Sequence, residues 1–256
     1  MTRVSVVGCG NMGGAFVKGL GQRDEYDVTA IDPDETARES VADSASRTTA
    51  DPAAAVDPIV VLAVKPDLVD PVLGGLDLTA DQTLVTLAAG VSRSFVSART
   101  DATVVRVMPN LAAEFGEMAA AATHEGLTDE VRALLEAVGT VAEVDESLMD
   151  IATAVNGSGP AFVFYLIDAV KTAGVEGGLE PKQAERLAAQ TFRGAAATVL
   201  RDDRTVDELV DAVCSPNGTT IEGMEVLWES DADRAVADAV GAAKRRSQEI
   251  AEAFEE

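Results

Sequence analysis

Ten residues near the start of the chain, Val4 to Gly13 (Val-Ser-Val-Val-Gly-Cys-Gly-Asn-Met-Gly), restrict its fold more than any other stretch. A short apolar run enters a glycine turn, and an amphipathic run from Asn11 to Leu20 leaves it, which predicts strand, turn, helix. Gly8, Gly10 and Gly13 form a Gly-x-Gly-x-x-Gly pattern. The first glycine allows the tight turn, the second lets the backbone approach a pyrophosphate, and the third lets helix pack on strand. The unpaired N–H groups and positive dipole end of the helix would then face the phosphates. The same glycines would serve an ordinary strand-to-helix turn, but an acid, Asp32, follows about 20 residues on, which favours the dinucleotide reading.

Val28 to Ile31 reads as a second strand ending in Asp32. A carboxylate at that tip can accept hydrogen bonds from the adenosine ribose hydroxyls and would repel a 2′-phosphate, so NADH is expected over NADPH. Asp32-Pro33-Asp34-Glu35 also reads as a helix cap with proline and acids in the first turn, and the two roles can coexist.

Pro58 to Val64 is a continuous β-branched run, the pattern of a strand covered on both faces in a parallel sheet. It ends in Lys65-Pro66, where the chain must turn; Lys65 by itself could be a solvated surface lysine. Thr83 to Ala88 and Thr103 to Met108 repeat the form and end in Ala89-Gly90 and Pro109-Asn110. These strand ends point one way, and ligands of open α/β sheets sit outside them. Met118 to Thr123 and Val141 to Val144 read as further strands around a helix from Thr128 to Val138. The sole histidine, His124, falls in the polar loop between them and reads as a surface residue.

Acidic residues outnumber basic ones by 44 to 20, giving a formal charge of −24 that repels phosphate backbones and anionic lipid. Nucleic acid and membrane partners are therefore not expected. Asp and Glu abound while lysine is confined to Lys18, Lys65, Lys171, Lys182 and Lys244, a balance suited to a high-salt, halophilic cytoplasm or, alternatively, to an acidic mesophilic enzyme. Cys9 and Cys214 are too isolated to imply a disulfide framework or a metal site. The first residues run straight into a strand without a leader, and no apolar stretch is long enough to span a bilayer, so a cytoplasmic protein is expected.

From Glu146 the strand-like runs stop, which predicts two domains, 1–144 and 145–256. Glu146 to Val155 reads as a helical run interrupted at Asn156-Gly157-Ser158-Gly159-Pro160. The run resumes as Ala161 to Val170 (Ala-Phe-Val-Phe-Tyr-Leu-Ile-Asp-Ala-Val). A helix apolar on nearly every face must be buried on nearly every face. Some hundred residues of short helices offer little to surround it, so a homodimer is expected. Helical runs follow at Pro181 to Leu200, Val206 to Val213 and Ile221 to about Glu229. Before the last of them lies Cys214-Ser215-Pro216-Asn217-Gly218-Thr219-Thr220, whose hydroxyls and glycine suit either a carboxylate-binding helix start or a plain capping loop.

Taken together, the chain resembles the pyrroline-5-carboxylate reductase family over essentially its whole length. The resemblance rests on Gly8-x-Gly10-Asn11-Met12-Gly13, Val64-Lys65-Pro66, Ala88-Ala89-Gly90-Val91-Ser92, Val107-Met108-Pro109-Asn110, Gly157-Ser158-Gly159-Pro160-Ala161 and Ser215-Pro216-Asn217-Gly218-Thr219-Thr220. It implies an α/β Rossmann-type N-terminal domain, an all-α C-terminal dimerisation domain and assembly into a decamer. It also implies reduction of a small imino acid, 1-pyrroline-5-carboxylate, to L-proline by NAD(P)H, the last step of proline biosynthesis. By the same resemblance Gly8, Gly10, Asn11, Met12, Gly13, Asp32, Val64, Lys65, Pro66, Ala89, Gly90 and Asn110 hold the cofactor. Ser215, Gly218 and the backbone of Thr219 and Thr220 hold the substrate carboxylate, and the Thr220 hydroxyl meets the ring nitrogen as the catalytic group. Departures from the family pattern are Leu111-Ala112 after Asn110, Asn217 for a glycine, Asn156 for a small hydroxyl residue or glycine, and Phe162 for a tyrosine. Two rivals remain: a β-hydroxyacid or other imine reductase on the same plan, for which Lys171 and Lys182 are candidate lysines in an unsuitable setting, and a regulatory protein that binds NAD without turnover.

Overall fold

A computed structural model describes residues 1–255. In chain order it contains β1 (Thr2–Val7), α1 (Asn11–Leu20), β2 (Tyr26–Ile31), α2 (Glu35–Glu39), β3 (Arg47–Thr49), β4 (Ile59–Leu62) and α3 (Val69–Leu73). There follow β5 (Thr83–Thr86), α4 (Arg93–Ser97), β6 (Thr103–Met108), β7 (Met118–Thr123), α5 (Asp129–Glu136) and β8 (Gly139–Val144). The remainder is helical: α6 (Met149–Ala152), α7 (Gly159–Glu176), α8 (Pro181–Arg201), α9 (Val206–Val213), α10 (Thr219–Trp228) and α11 (Ala232–Glu255).

The strands form one sheet in the order β3-β2-β1-β4-β5-β6-β7-β8. β1 to β6 are mutually parallel, β7 runs against β6, and β8 runs with β7. The strand order reverses between β1 and β4, the kind of place, outside the carboxyl ends, at which open α/β sheets bind their ligands. Side chains alternate across the sheet as a period of two demands: Val4, Val6, Val61 and Val85 join one apolar cluster, and Val7, Val60, Leu62 and Leu84 the other. Phe16, Val17 and Leu20 of α1 seat in the first cluster with no exposure. Each such side chain stabilises the fold by about 1.5–3 kcal/mol relative to exposure.

β3, only Arg-Thr-Thr, carries no apolar signal and escapes a reading by hydrophobic pattern. The helix expected over Thr128 to Val138 is α5, with the Thr128 hydroxyl accepting from the Val131 N–H at 3.3 Å as its cap. The expected break at Asn156 to Pro160 is softer than the glycines suggest. A π-helical turn spans Thr153–Gly157, and α7 begins at Gly159 with Pro160 in its first turn, where the missing N–H costs nothing. Nor are all the later helices short, since α8 has 21 residues and α11 has 24. The latter reads weakly because small and charged residues interleave along it.

By compactness the chain divides into Met1–Ser158 with Val240–Glu256, and Gly159–Ala239. The division thus falls later than the 144/145 boundary at which strand-like sequence stops. Met149 is fully buried beside Met108 and Ala121, which joins the first helical turns after β8 to the sheet. In the second unit α7 packs on α8 through small residues; a Cβ on Gly174 would lie 3.3 Å from that of Ala184. No residue of α7 is buried, and Phe164 and Tyr165 are 68% and 76% exposed. Among the described residues no helix is long and apolar enough to cross a membrane.

Candidate functional site

The glycine turn has the backbone its pattern predicts. Gly8 takes φ +95°, and a Cβ there would stand 2.7 Å from the Ala63 carbonyl oxygen. At Gly13 a Cβ would meet the Gly8 oxygen at 1.9 Å, so only glycine lets α1 start this close to β1. Gly10 differs: a Cβ there would meet nothing within 4 Å. It precedes α1 without a side-chain cap, so the first N–H groups of the helix have an open approach. This combination of a closed turn and one open face fits a dinucleotide pyrophosphate. A cleft of 520 Å³ opens beside it, lined in part by Cys9, Gly10, Asn11, Lys18, Asp34 and Thr36.

Asp32 stands at the end of β2, as expected. One carboxylate oxygen accepts from the Cys9 N–H at 2.7 Å and the other from the Asp34 N–H at 2.9 Å. Arg38 donates to the Asp32 and Pro33 carbonyl oxygens at 2.6 and 3.0 Å, holding the β2–α2 turn from below. Cys9 is 2% exposed. Burial, and then the neighbouring Asp32 charge, push its thiol up to about 12. It stays protonated and is no nucleophile.

The other expected cofactor residues gather at the same end of the sheet. Val64, Lys65 and Pro66 follow β4, with exposed Lys65 opening a short 3-10 turn at Pro66–Leu68. Ala89 and Gly90 follow β5, and Gly90 takes φ +75°. Asn110, after β6, is 7% exposed and faces inward. Its amide oxygen accepts from the Ala112 and Ala119 N–H groups at 3.2 and 3.4 Å, and its amide nitrogen donates to the Asn156 carbonyl oxygen at 3.1 Å. Its side chain thus shapes the turn.

Two groups that sequence reasoning missed brace these strand ends. The Asn156 amide donates to the carbonyl oxygens of Met108 and Ala119 at 2.6 and 2.9 Å, joining β6, β7 and the π-helical turn. Arg106, a cation inside an apolar strand, is 5% exposed. It donates to Glu146 at 3.1 Å, and the same Glu146 oxygen accepts from the Arg93 N–H at 2.6 Å. A lone arginine in Thr-Val-Val-Arg-Val-Met was the available signal. His124 lies exposed against Glu143 and Asp145, away from these strand ends, as a surface residue does.

In the second unit the loop before α10 is built as its sequence suggests. Asn217 adopts φ 59°, the left-handed conformation that an asparagine tolerates in place of glycine. The Gly218 N–H donates to the Ser215 carbonyl oxygen at 2.9 Å. A Cβ on Gly218 would stand 2.4 Å from the Ser215 hydroxyl oxygen, so this glycine keeps the hydroxyl over the helix start. Gly218 caps α10 without a side chain, and Thr219 and Thr220 are exposed at its first positions. Free N–H groups beside two hydroxyls can hold a carboxylate.

Comparison with known proteins agrees with both units. Residues 146–250 match the family described as pyrroline-5-carboxylate reductase dimerisation. Residues 3–90 match that described as NADP oxidoreductase, coenzyme F420-dependent. The pyrroline-5-carboxylate reductase of Methanosarcina acetivorans is 38% identical over 270 residues, covering 97% of each chain. The solved structure of the Coxiella burnetii pyrroline-5-carboxylate reductase aligns with TM-score 0.86 at 28% identity over 97% of this chain and 98% of that one. The Plasmodium falciparum pyrroline carboxylate reductase, solved with NADP bound, aligns with TM-score 0.83 at 25% identity over 98% of each. With a glycine turn of dinucleotide type on a largely parallel sheet, a match to the family's dimerisation model and a relative 38% identical over 97% of the chain, the chain belongs to the pyrroline-5-carboxylate reductase family.

Proposed function

We propose that this chain reduces the C=N bond of 1-pyrroline-5-carboxylate to give L-proline, with NADH as the preferred donor. The observation that carries the reading is the presence of both an open glycine turn at Gly10 and a largely intact Ser215–Thr220 loop in a member of this family. Gly8 to Gly13 would hold the pyrophosphate, Asp32 the adenosine ribose, and Val64 to Pro66 with Ala89, Gly90 and Asn110 the remainder of the cofactor. When bound, the reduced nicotinamide supplies the hydride. Ser215, Gly218 and the N–H groups of Thr219 and Thr220 would hold the substrate carboxylate. The Thr220 hydroxyl would orient the ring nitrogen and handle its proton. An imine nitrogen is basic enough to be protonated from water, so positioning dominates and no strong acid is needed. The absence of a histidine from these strand ends and loops is compatible with that chemistry.

The NADH preference is supported by the Asp32 charge, which would oppose a 2′-phosphate. Domain 145–256 is proposed as the dimerisation and substrate-binding part, with α7 as the seam of a homodimer. Such dimers would build the decamer that the family resemblance implies. The acid-rich, lysine-poor composition supports a halophilic cytoplasmic enzyme. The test is oxidation of NADH, and separately of NADPH, with 1-pyrroline-5-carboxylate, followed by identification of proline. No turnover with either donor would sink the reading; faster turnover with NADPH would sink the preference alone.

A further inference from the structure

The C-terminal end of α11 returns to the sheet. Ser247, Ile250 and Phe254 are spaced to lie on one face of the helix. The buried Ser247 hydroxyl donates to an Asp150 carboxylate oxygen at 2.7 Å. Phe254 meets Phe95 of α4 edge-on, with ring centroids 4.7 Å apart. Between them Ile250 lies against Gly90: a Cβ there would stand 2.6 Å from the Ile250 Cγ2 and 3.2 Å from the Ala251 nitrogen. Gly90 is thus restricted twice, by its φ of +75° and by a helix resting on its bare Cα.

In a sheet of this order, β1 and β2 carry one half of a dinucleotide, and β4 and β5, across the reversal, carry the other. With the ribose acid Asp32 on β2, the turn at Ala89-Gly90 falls to the nicotinamide half. We infer that Ile250 is a positioning residue for this reaction: its Cγ2 methyl, seated on Gly90, holds the Ala89-Gly90 turn in the conformation that takes the nicotinamide end of the cofactor. A turn backed only by solvent could sample other conformations, and a small misplacement at the reacting end lowers the rate steeply. The inference rests on the cofactor role proposed above for Ala89 and Gly90.

The test compares two ligands that share the pyrophosphate and adenosine but differ at the nicotinamide, NADH and ADP-ribose, on the full-length protein and on Ile250→Ala. The expected result is an NADH affinity weakened by about tenfold, about 1.4 kcal/mol, with ADP-ribose affinity within about twofold of the parent. Ile250→Val, which keeps the Cγ2 methyl, should restore NADH binding. Should Ile250→Ala fail to fold, Ile250→Leu takes its place, since it keeps the volume but withdraws that methyl. A parallel loss of both ligands, or no loss of either, would overturn the inference while leaving the enzymatic reading intact. Failure of the unaltered chain to bind NADH and NADPH alike would overturn the reading and the inference with it.

Discussion

The Cys9 N–H donates to the Asp32 carboxylate at 2.7 Å, so the acid that closes β2 also fixes the glycine turn that closes β1. Asp32 therefore has two duties, and they separate experimentally. Asp32→Asn keeps an acceptor but removes the charge. Catalytic efficiency should fall with both donors because the turn loosens, while the NADPH-to-NADH ratio rises by about tenfold, as expected for losing roughly 1–2 kcal/mol of repulsion near the surface. Steady-state kinetics with both donors decides it, and an unchanged ratio would remove Asp32 from donor selection.

Gly10 and Gly13 make a matched pair of controls. Gly13→Ala places a methyl 1.9 Å from the Gly8 oxygen, so stability and nucleotide binding should fail together. Gly10→Ala meets no protein atom and sits at φ −65°, so its melting temperature should stay within about 2 °C of the parent. Its added methyl would nevertheless stand where the pyrophosphate approaches, and NADH affinity should drop at least tenfold, roughly one bulky contact's worth. Calorimetry with and without NADH separates the two, and an unweakened Gly10→Ala would place the phosphates elsewhere.

Thr220 is exposed on the first turn of α10. Thr220→Ala should leave the circular dichroism spectrum unchanged and lower kcat by about 10²-fold, the lower end for losing a group that handles a proton. Thr220→Ser should recover most of it. A Thr220→Ala enzyme with near-parental kcat would leave the hydroxyl without a catalytic part.

The Cys9 thiol gives a pH prediction of definite sign. Its value is raised from an ordinary 9.0 to about 12, first by burial and then by Asp32. Below pH 9 the thiol is protonated whether the chain is folded or not, and it costs no stability. As pH rises from 9 toward 12 the unfolded chain ionises first and binds fewer protons, so stability should fall across that window. Cys9→Ser should flatten the fall, read by denaturant melts at stepped pH. Alkylation at pH 8.5 should spare Cys9 until the protein unfolds; rapid labelling would contradict its burial.

Much of this was legible beforehand because β-branched runs such as Ile59 to Leu62 announce buried parallel strands, and because the glycine spacing carries its own steric reason. What escaped depends on contacts between distant residues. Asn156 reads only as a departure from a small family residue, yet its amide bridges carbonyls at Met108 and Ala119, 48 and 37 positions away. Asn110 reads as a ligand for the cofactor, and nothing around it in the sequence tells that its amide also accepts from Ala112 and Ala119 and donates to the Asn156 carbonyl oxygen, 46 positions away. α11 gives little apolar period to see, and its grip on Asp150 spans 97 positions. Arg38 showed no sign of its bonds to the β2–α2 turn, since carbonyl oxygens leave no mark in a sequence.

The bare surface of α7 has a consequence for the medium in which the protein works. A seam built there brings two copies together, and with them a formal charge of 2 × −24 = −48. Apolar contact draws the copies together over a few ångströms, while their charges repel over a distance that dissolved ions set, about 10 Å at 0.1 M and 3 Å at 1 M. For a dimer joined through that seam, dilution and desalting would push the same way, and the dissolved ions would act as one more subunit of the assembly.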